Sequence, residues 1–307
     1  MLRQSEIELL QTLFTLEQEQ LHDFLYDFLL DYYTEEEITE DDVHYLYAQG
    51  DIPVLLVAHL DTVHKVKPKL DNIFHDAKKH RMWSPVGIGA DDRCGVFAIV
   101  MLVMQGYRPH IAFTWNEEIG GIGARKMIVD FMPKQQINFA IQFDRKGSQE
   151  AVYYYLDSLA FENYINGFGF KTHLGTYTDI CEICPDWGFA GVNLSAGYNF
   201  EHSTSEIVMV DVLVDTMTKV ASILDDQKAN PQFFEYMEAP KHYTPRAQSE
   251  WNSRDEYYGM DPSSYSDYCI ACGKSTAWYR MSDRPEFAEM CIDCAEDIFP
   301  SKGAVLT

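Results

Sequence analysis

Positive charge is scarce in this chain. Lys and Arg total 24 against 48 Asp and Glu, which leaves a formal charge of −24. Such a surface repels phosphate backbones and anionic membranes, so a nucleic-acid role is disfavoured. Long apolar runs are also missing. The longest, Val96–Met104, falls well short of the ~18 residues of a membrane span and reads as a buried helix. The opening MLRQSEIELL is polar and acidic, with none of the apolar stretch of a secretory leader. We therefore expect a cytoplasmic protein with no membrane partner, in which the seven cysteines stay reduced. Metal binding or packing then explains them better than disulfides.

What is present is ample apolar material, 46% of 307 residues, enough for one sizeable α/β domain plus something small. Residues 5–33 read as helix, with Ser5-x-x-Glu8 and Thr15-x-x-Gln18 fitting capping boxes. Leu21, Phe24, Leu25, Phe28, Leu29 and Tyr32 form one apolar stripe. Val43, Tyr45 and Tyr47 alternate as a strand. Then comes a repeated order of apolar strand, polar cluster and helix: Ile52–Ala58, Ile111–Trp115, Phe139–Phe143 and Ala190–Ala196 are the strands. Asp211 opens a final helix. Buried strands alternating with helices predict a three-layer α/β fold, a mixed and mostly parallel sheet with helices on both faces. Residues 1–228 are read as this domain (1–40 its N-terminal helices), 229–266 as a linker or packing arm, and 267–307 as a small module.

Ligands in open α/β sheets bind beyond the carboxyl ends of the strands. Those ends carry His59 and Asp61, Asp91 and Asp92, Glu117 and Glu118, Asp144, and His202. Converging acids with few cations nearby cannot be desolvated unpaired, and a bound cation is the simplest solution. Imidazoles plus carboxylates suit Zn2+, or Mn2+ or Co2+, better than calcium or magnesium. Two histidines and three acids exceed one catalytic zinc and fit two metals that share a carboxylate.

The stretches "HLDTV", "GADDRCG" and "NEEIGG" resemble, in order and spacing, the motifs of the co-catalytic dizinc exopeptidases and deacylases. That superfamily includes bacterial zinc aminopeptidases, peptidase T and carboxypeptidase G relatives. The resemblance covers roughly residues 50–225 and implies the zinc exopeptidase (phosphorylase/hydrolase-like) fold and two catalytic zincs. It also implies His59 and Asp144 on one metal, Glu118 and His202 on the other, and Asp92 as the bridge with Asp91 structural. Asp61 would orient His59, and Glu117, left without a metal, would be the general base. Thr178, Asp179 and Tyr198 lie where relatives line the substrate pocket. His64, His75, His80 and His110 read as surface or loop histidines, and His173 as a loop alternative to His202. Many relatives insert a lid of around a hundred residues. Neither the Asp61–Asp92 nor the Asp144–His202 gap can hold one here. A lid-less plan is closest to the aminopeptidase branch, and it puts in doubt the carboxylate-binding arginines that lids supply. Arg145 could replace them, although a surface or acid-pairing role suits it better.

Near the end, Cys269-x2-Cys272 and Cys291-x2-Cys294 are separated by eighteen residues. Four thiolates on two knuckles read as a zinc ribbon holding one structural Zn2+, which could supply roughly 10–16 kcal/mol of apparent folding free energy to a small module. Its acidic surroundings suit a protein partner or self-association better than nucleic acid. Cys181-x2-Cys184 has no partner pair and reads as core packing. Cys272→Ser is expected to remove this one zinc and to impair stability or assembly before chemistry. A purely catalytic defect with zinc content intact would contradict a structural ribbon.

Three functions compete at this level. The first is a metallopeptidase acting on peptides, aminopeptidase-like. The second is a deacylase of N-acylated small molecules. The third is a non-enzymatic metal-binding protein that works through its ribbon. The retained Glu117 argues against the third, because a metal scaffold has no need of an acid that binds no metal.

Overall fold

A computed structural model describes residues 2–239, and Cys269, Cys272, Cys291 and Cys294 lie outside the described residues. The chain opens with helices α1 (Gln4–Thr15) and α2 (Gln18–Leu30), then strands β1 (Ile38–Asp41), β2 (Tyr45–Ala48) and β3 (Ile52–His59). A hairpin of β4 (Phe74–Asp76) and β5 (Arg81–Trp83) precedes α3 (Ala90–Met104), β6 (Pro109–Thr114), α4 (Ile122–Asp130) and β7 (Phe139–Arg145). Next come β8 (Glu150–Val152), α5 (Leu159–Asn166), β9 (Lys171–His173), α6 (Ile180–Trp187) and β10 (Ala190–Ser195). The short β11 (Tyr198–Asn199) and β12 (Ile207–Met209) lead into α7 (Val210–Ala229).

Eight strands form the main sheet in the order β1-β2-β6-β3-β7-β10-β8-β9. Its centre, β6-β3-β7-β10, is parallel, and β2 and β8 join it antiparallel. The expected mixed, mostly parallel sheet between two helical layers is thus the observed one. From β3 the chain crosses through α3 to β6 on one side, then through α4 to β7 on the other. This reversal opens a crevice at the carboxyl end of β3, where open α/β sheets place their ligands.

Both faces of the central strands are buried, which is why they are mostly apolar rather than alternating. The larger core joins Leu10, Leu21, Leu25, Phe97 and Leu224 from α1, α2, α3 and α7 to Val54 and Leu56 of β3. The smaller joins Ala124, Met127, Ile183 and Trp187 from α4 and α6 to Leu55 and Val57 of β3. Helix α3 is buried from Ala90 through Val103 and so has no polar stripe. Residues 230–239, past the end of α7, bridge back to Leu156 and Phe189. Phe234 there packs on Phe139, Phe161 and Tyr164.

The helix starts differ from the sequence expectation. At the helix starts Glu6 accepts from the Arg3 backbone N–H and Gln20 from that of Glu17, instead of the boxes headed by Ser5 and Thr15. The helical stretch expected over 5–33 is two helices, divided at Leu16-Glu17. That break is fixed by Arg93, whose guanidinium donates to the Leu16 and Leu60 carbonyls from a fully buried position.

Candidate active site

His59 ends β3 with its ring 1% exposed. Its Nε2 lies 3.0 Å from Asp91 Oδ1 and 3.7 Å from Asp144 Oδ1. Nδ1 lies 3.2 Å from Asp61 Oδ1, off the line a hydrogen bond needs. Asp61 also accepts from the backbone N–H of Glu117 (3.0 Å) and of Glu118 (3.1 Å). A single carboxylate thus stands beside the imidazole and anchors the double-glutamate turn. The glycines that follow close that turn. Gly121 has φ +64°, and a Cβ on Gly123 would lie 2.2 Å from the His44 carbonyl oxygen.

On the other side, His202 Nε2 sits 3.1 Å from Glu118 Oε2 and 3.3 Å from Asp91 Oδ2. Donor atoms of His59, Asp91 and Asp144 lie within 4.8 Å of one another, and so do those of Asp91, Glu118 and His202. Asp91 is the residue common to both groups. This differs from the sequence expectation, which put the bridge on Asp92. The Asp92 carboxylate is fully buried and accepts from the backbone N–H of His59 (3.3 Å) and Gly95 (2.9 Å). It braces the loop, while Asp91 faces both histidines. The two are joined by a cis peptide bond.

The four residues considered for substrate contact all have protein partners. Thr178 and Tyr198 are buried, and their hydroxyls donate to opposite oxygens of the Asp144 carboxylate. They orient Asp144 rather than line a pocket. Arg145 donates to Glu150 (2.7 Å) and contacts His173 (3.1 Å). Asp179, also buried, accepts from Thr114 (2.6 Å) and Gln142 (3.4 Å) one layer down. His173 stays with Arg145, away from either donor group, whereas His202 joins one. One histidine was misplaced: His110 lies on β6, buried against the Tyr47 hydroxyl at 2.8 Å, whereas His64 is on a loop as expected and pairs there with Glu206 at 2.9 Å. Cys184 packs in the smaller core, and Cys94 is buried on α3.

The residues fit divalent cations. Six carboxylates surround two imidazoles, and the buried Arg93 gives its donors to carbonyls instead. Glu118 Oε1 is buried with no hydrogen-bond partner. Burial pushes Glu117 up to about 9 and Asp144 up to about 7, with neighbouring acids adding to both shifts. Hydrogen bonds to Asp91 and Glu118 hold His202 up at about 11. All of this describes negative charge awaiting a counterion.

Solved peptidase structures share this fold. A tripeptidase from Staphylococcus aureus superposes with a TM-score of 0.58 at 14% identity, over 72% of this chain and 97% of that one. The aminopeptidase PepT of Bacillus cereus gives 0.56 at 14%, over 72% and 97%. An aminopeptidase of the archaeon Desulfurococcus kamchatkensis gives 0.56 at 13%, over 72% and 95%. No family model and no curated protein sequence matches the chain.

A pH dependence follows from the raised groups. A carboxyl whose value rises on folding adds stability below its unfolded value, about 4, and loses it as pH climbs through the folded one. Glu117, Asp144 and Asp179, the last pushed by burial to about 6, all act this way. His202 acts in the same direction above its unfolded value of about 6.5. Asp61 is buried too, but the nearby His59 ring and the hydrogen bonds from the two glutamate amides outweigh that burial and lower it. Its contribution is therefore lost only at lower pH still. Metal-free protein should melt at a higher temperature at pH 5 than at pH 8. Added zinc should reverse that order, measured by calorimetry. A metal-free protein that is more stable at pH 8 would contradict the assignment.

Proposed function

We propose that this chain is a metal-dependent hydrolase of the aminopeptidase type, which removes residues from the amino end of short peptides. The observation that carries the proposal is the pair of donor groups sharing Asp91, with Glu117 beside them in neither group. His59, Asp91 and Asp144 would hold one divalent cation, and Asp91, Glu118 and His202 the second. When bound, such a pair lowers the pKa of water and polarises a scissile carbonyl. Zinc, manganese and cobalt all suit this mixture of imidazole and carboxylate.

The chain's own residues do the rest. Glu117 takes the proton of the attacking water and hands it to the departing amine. Its partly buried position keeps its proton affinity high enough to act as both base and acid. Asp61 fixes the backbone of Glu117 and the ring of His59 together, so base and metal ligand keep one spacing. Thr178 and Tyr198 hold Asp144 in a single rotamer, the outer support that tunes a ligand.

Electrostatics favour an amine-bearing substrate over a carboxylate-bearing one. Arg145, the cation nearest in sequence to a proposed ligand, is taken by Glu150 and His173. The surplus of acids suits an α-ammonium group. Deacylation of a small N-acyl compound is the second reading, and it needs such a cation free. A screen of aminoacyl, dipeptide and N-acetyl substrates separates the two, with metal-loaded protein against Glu117→Gln as blank. Free-amine substrates should be cleaved. Turnover of N-acetyl substrates alone would favour the deacylase, and turnover of none would remove the hydrolase reading. Together with the ribbon, whose structural zinc is likewise a proposal, metal analysis should find about three zincs per chain, two of them removable by chelator.

A further inference from the structure

Glu206 lies on the turn after His202 and is 0% exposed. Its Oε2 accepts from the backbone N–H of Gly89 at 2.7 Å and lies 2.9 Å from His64 Nε2. Its Oε1 accepts from the backbone N–H of Asp91 at 3.1 Å. Three segments therefore meet at one buried carboxylate. His64 comes from the loop after β3 that also carries Asp61. Gly89 and Asp91 come from the start of α3, where Gly89 is the N-cap and Asp91 has non-helical dihedrals. Glu206 comes from the loop that carries His202. The junction is close-packed, since a Cβ on Gly87 would lie 2.3 Å from the His64 ring.

A carboxylate is an expensive way to satisfy two amides so near other acids. A hydroxyl or amide acceptor would cost less desolvation. What the charged acceptor adds is short, strong bonds on both oxygens at once. Those bonds fix the main chain at Asp91, the residue common to both donor groups, relative to His202 four positions upstream of Glu206.

We propose that Glu206 is a positioning residue for the metal centre, setting the distance between the shared Asp91 carboxylate and His202 through the Gly89 and Asp91 amides. The role rests on the two-metal reading above. Glutamine is the informative replacement. Its oxygen can serve one amide, but its NH2 must then face the other N–H, so one of the two bonds is lost.

The test is calorimetric titration of the full chain with Mn2+, a probe that thiolates of the tail bind poorly. Wild type should take up two ions. Glu206→Gln and Glu206→Ala should weaken uptake of both ions by roughly 10–100-fold, the usual effect of losing a ligand's support. His64→Ala should weaken it less, because both amide bonds survive. Leu224→Ala, in the core on α7, serves as a control for lost stability and should keep wild-type affinity. Wild type with two ions and an equal Glu206→Gln overturns the positioning role alone. Equal losses in Glu206→Gln and Leu224→Ala overturn it as well, since stability would then explain both. A wild type that takes up no Mn2+ overturns the metal reading beneath it.

Discussion

Glu117→Gln should lower kcat by roughly 10²–10⁴-fold, the range that a positioned general acid–base contributes, while the metal content stays at the wild-type value. The separation follows from geometry. Glu117 belongs to neither donor group, and its backbone N–H, which Asp61 holds at 3.0 Å, is unchanged by the substitution. Glutamine keeps the shape and loses only the ability to take a proton. Glu118→Gln is the contrast. Its Oε2 lies 3.1 Å from His202 Nε2 and its Oε1 is buried without a partner, so that variant should lose one ion along with activity. Steady-state rates on an aminoacyl substrate, paired with elemental analysis of the same samples, read both quantities. Normal turnover by Glu117→Gln would mean that some other group moves the proton. Loss of metal in that variant would mean that Glu117 is a ligand after all.

The parts of the fold that were legible in sequence are those whose burial is symmetric. β3, β6, β7 and β10 are covered on both faces, so they appear as mostly apolar runs without alternation, and His59 and Asp144 close two of them. The two- and three-residue strands β8, β9, β11 and β12 left no such trace, because too few positions exist to establish a period. Helix starts were off by one or two residues, since Ser-x-x-Glu and Thr-x-x-Gln patterns stand next to the true caps and propensity does not rank them. At the site, the residue types and their order were readable, but the direction of neighbouring side chains was not. Glu117 and Glu118 were separable because only one has a place in the motif order. His64 was legible as a loop residue, but its pairing was not, because its partner Glu206 lies 142 residues away. Thr178 and Tyr198 were considered for substrate contact, and their hydroxyls meet Asp144 instead, because which acceptor a hydroxyl finds is decided by packing across β7, α6 and β11.

The Asp-Asp pair gives the sharpest discrimination. Asp91→Asn should lose both metals, with affinity falling on the order of 100-fold or more and turnover lost with it. Asp92→Asn should keep both. The two carboxyls differ in which form their surroundings favour. Asp91 is buried, yet its bonds to His202 and His59 outweigh that burial and hold its value below the usual carboxylate range. It is built to be an anion facing cations. Burial pushes Asp92 well above that range, and the charges of Asp144 and Asp91 add to the push. Its oxygens face two backbone N–H groups, those of His59 and Gly95. An amide oxygen can keep one of those bonds in the same shape, so asparagine at 92 should cost stability before it costs metal. Expected values are a lowered melting temperature for Asp92→Asn with ion uptake within about tenfold of wild type, and for Asp91→Asn a folded chain that takes up neither ion. Metal titration and thermal melting on the two variants decide the matter. If Asp92→Asn were the one to lose both ions, the bridge would belong at 92, and the start of α3 would have to turn its other carboxylate toward the histidines when metal binds.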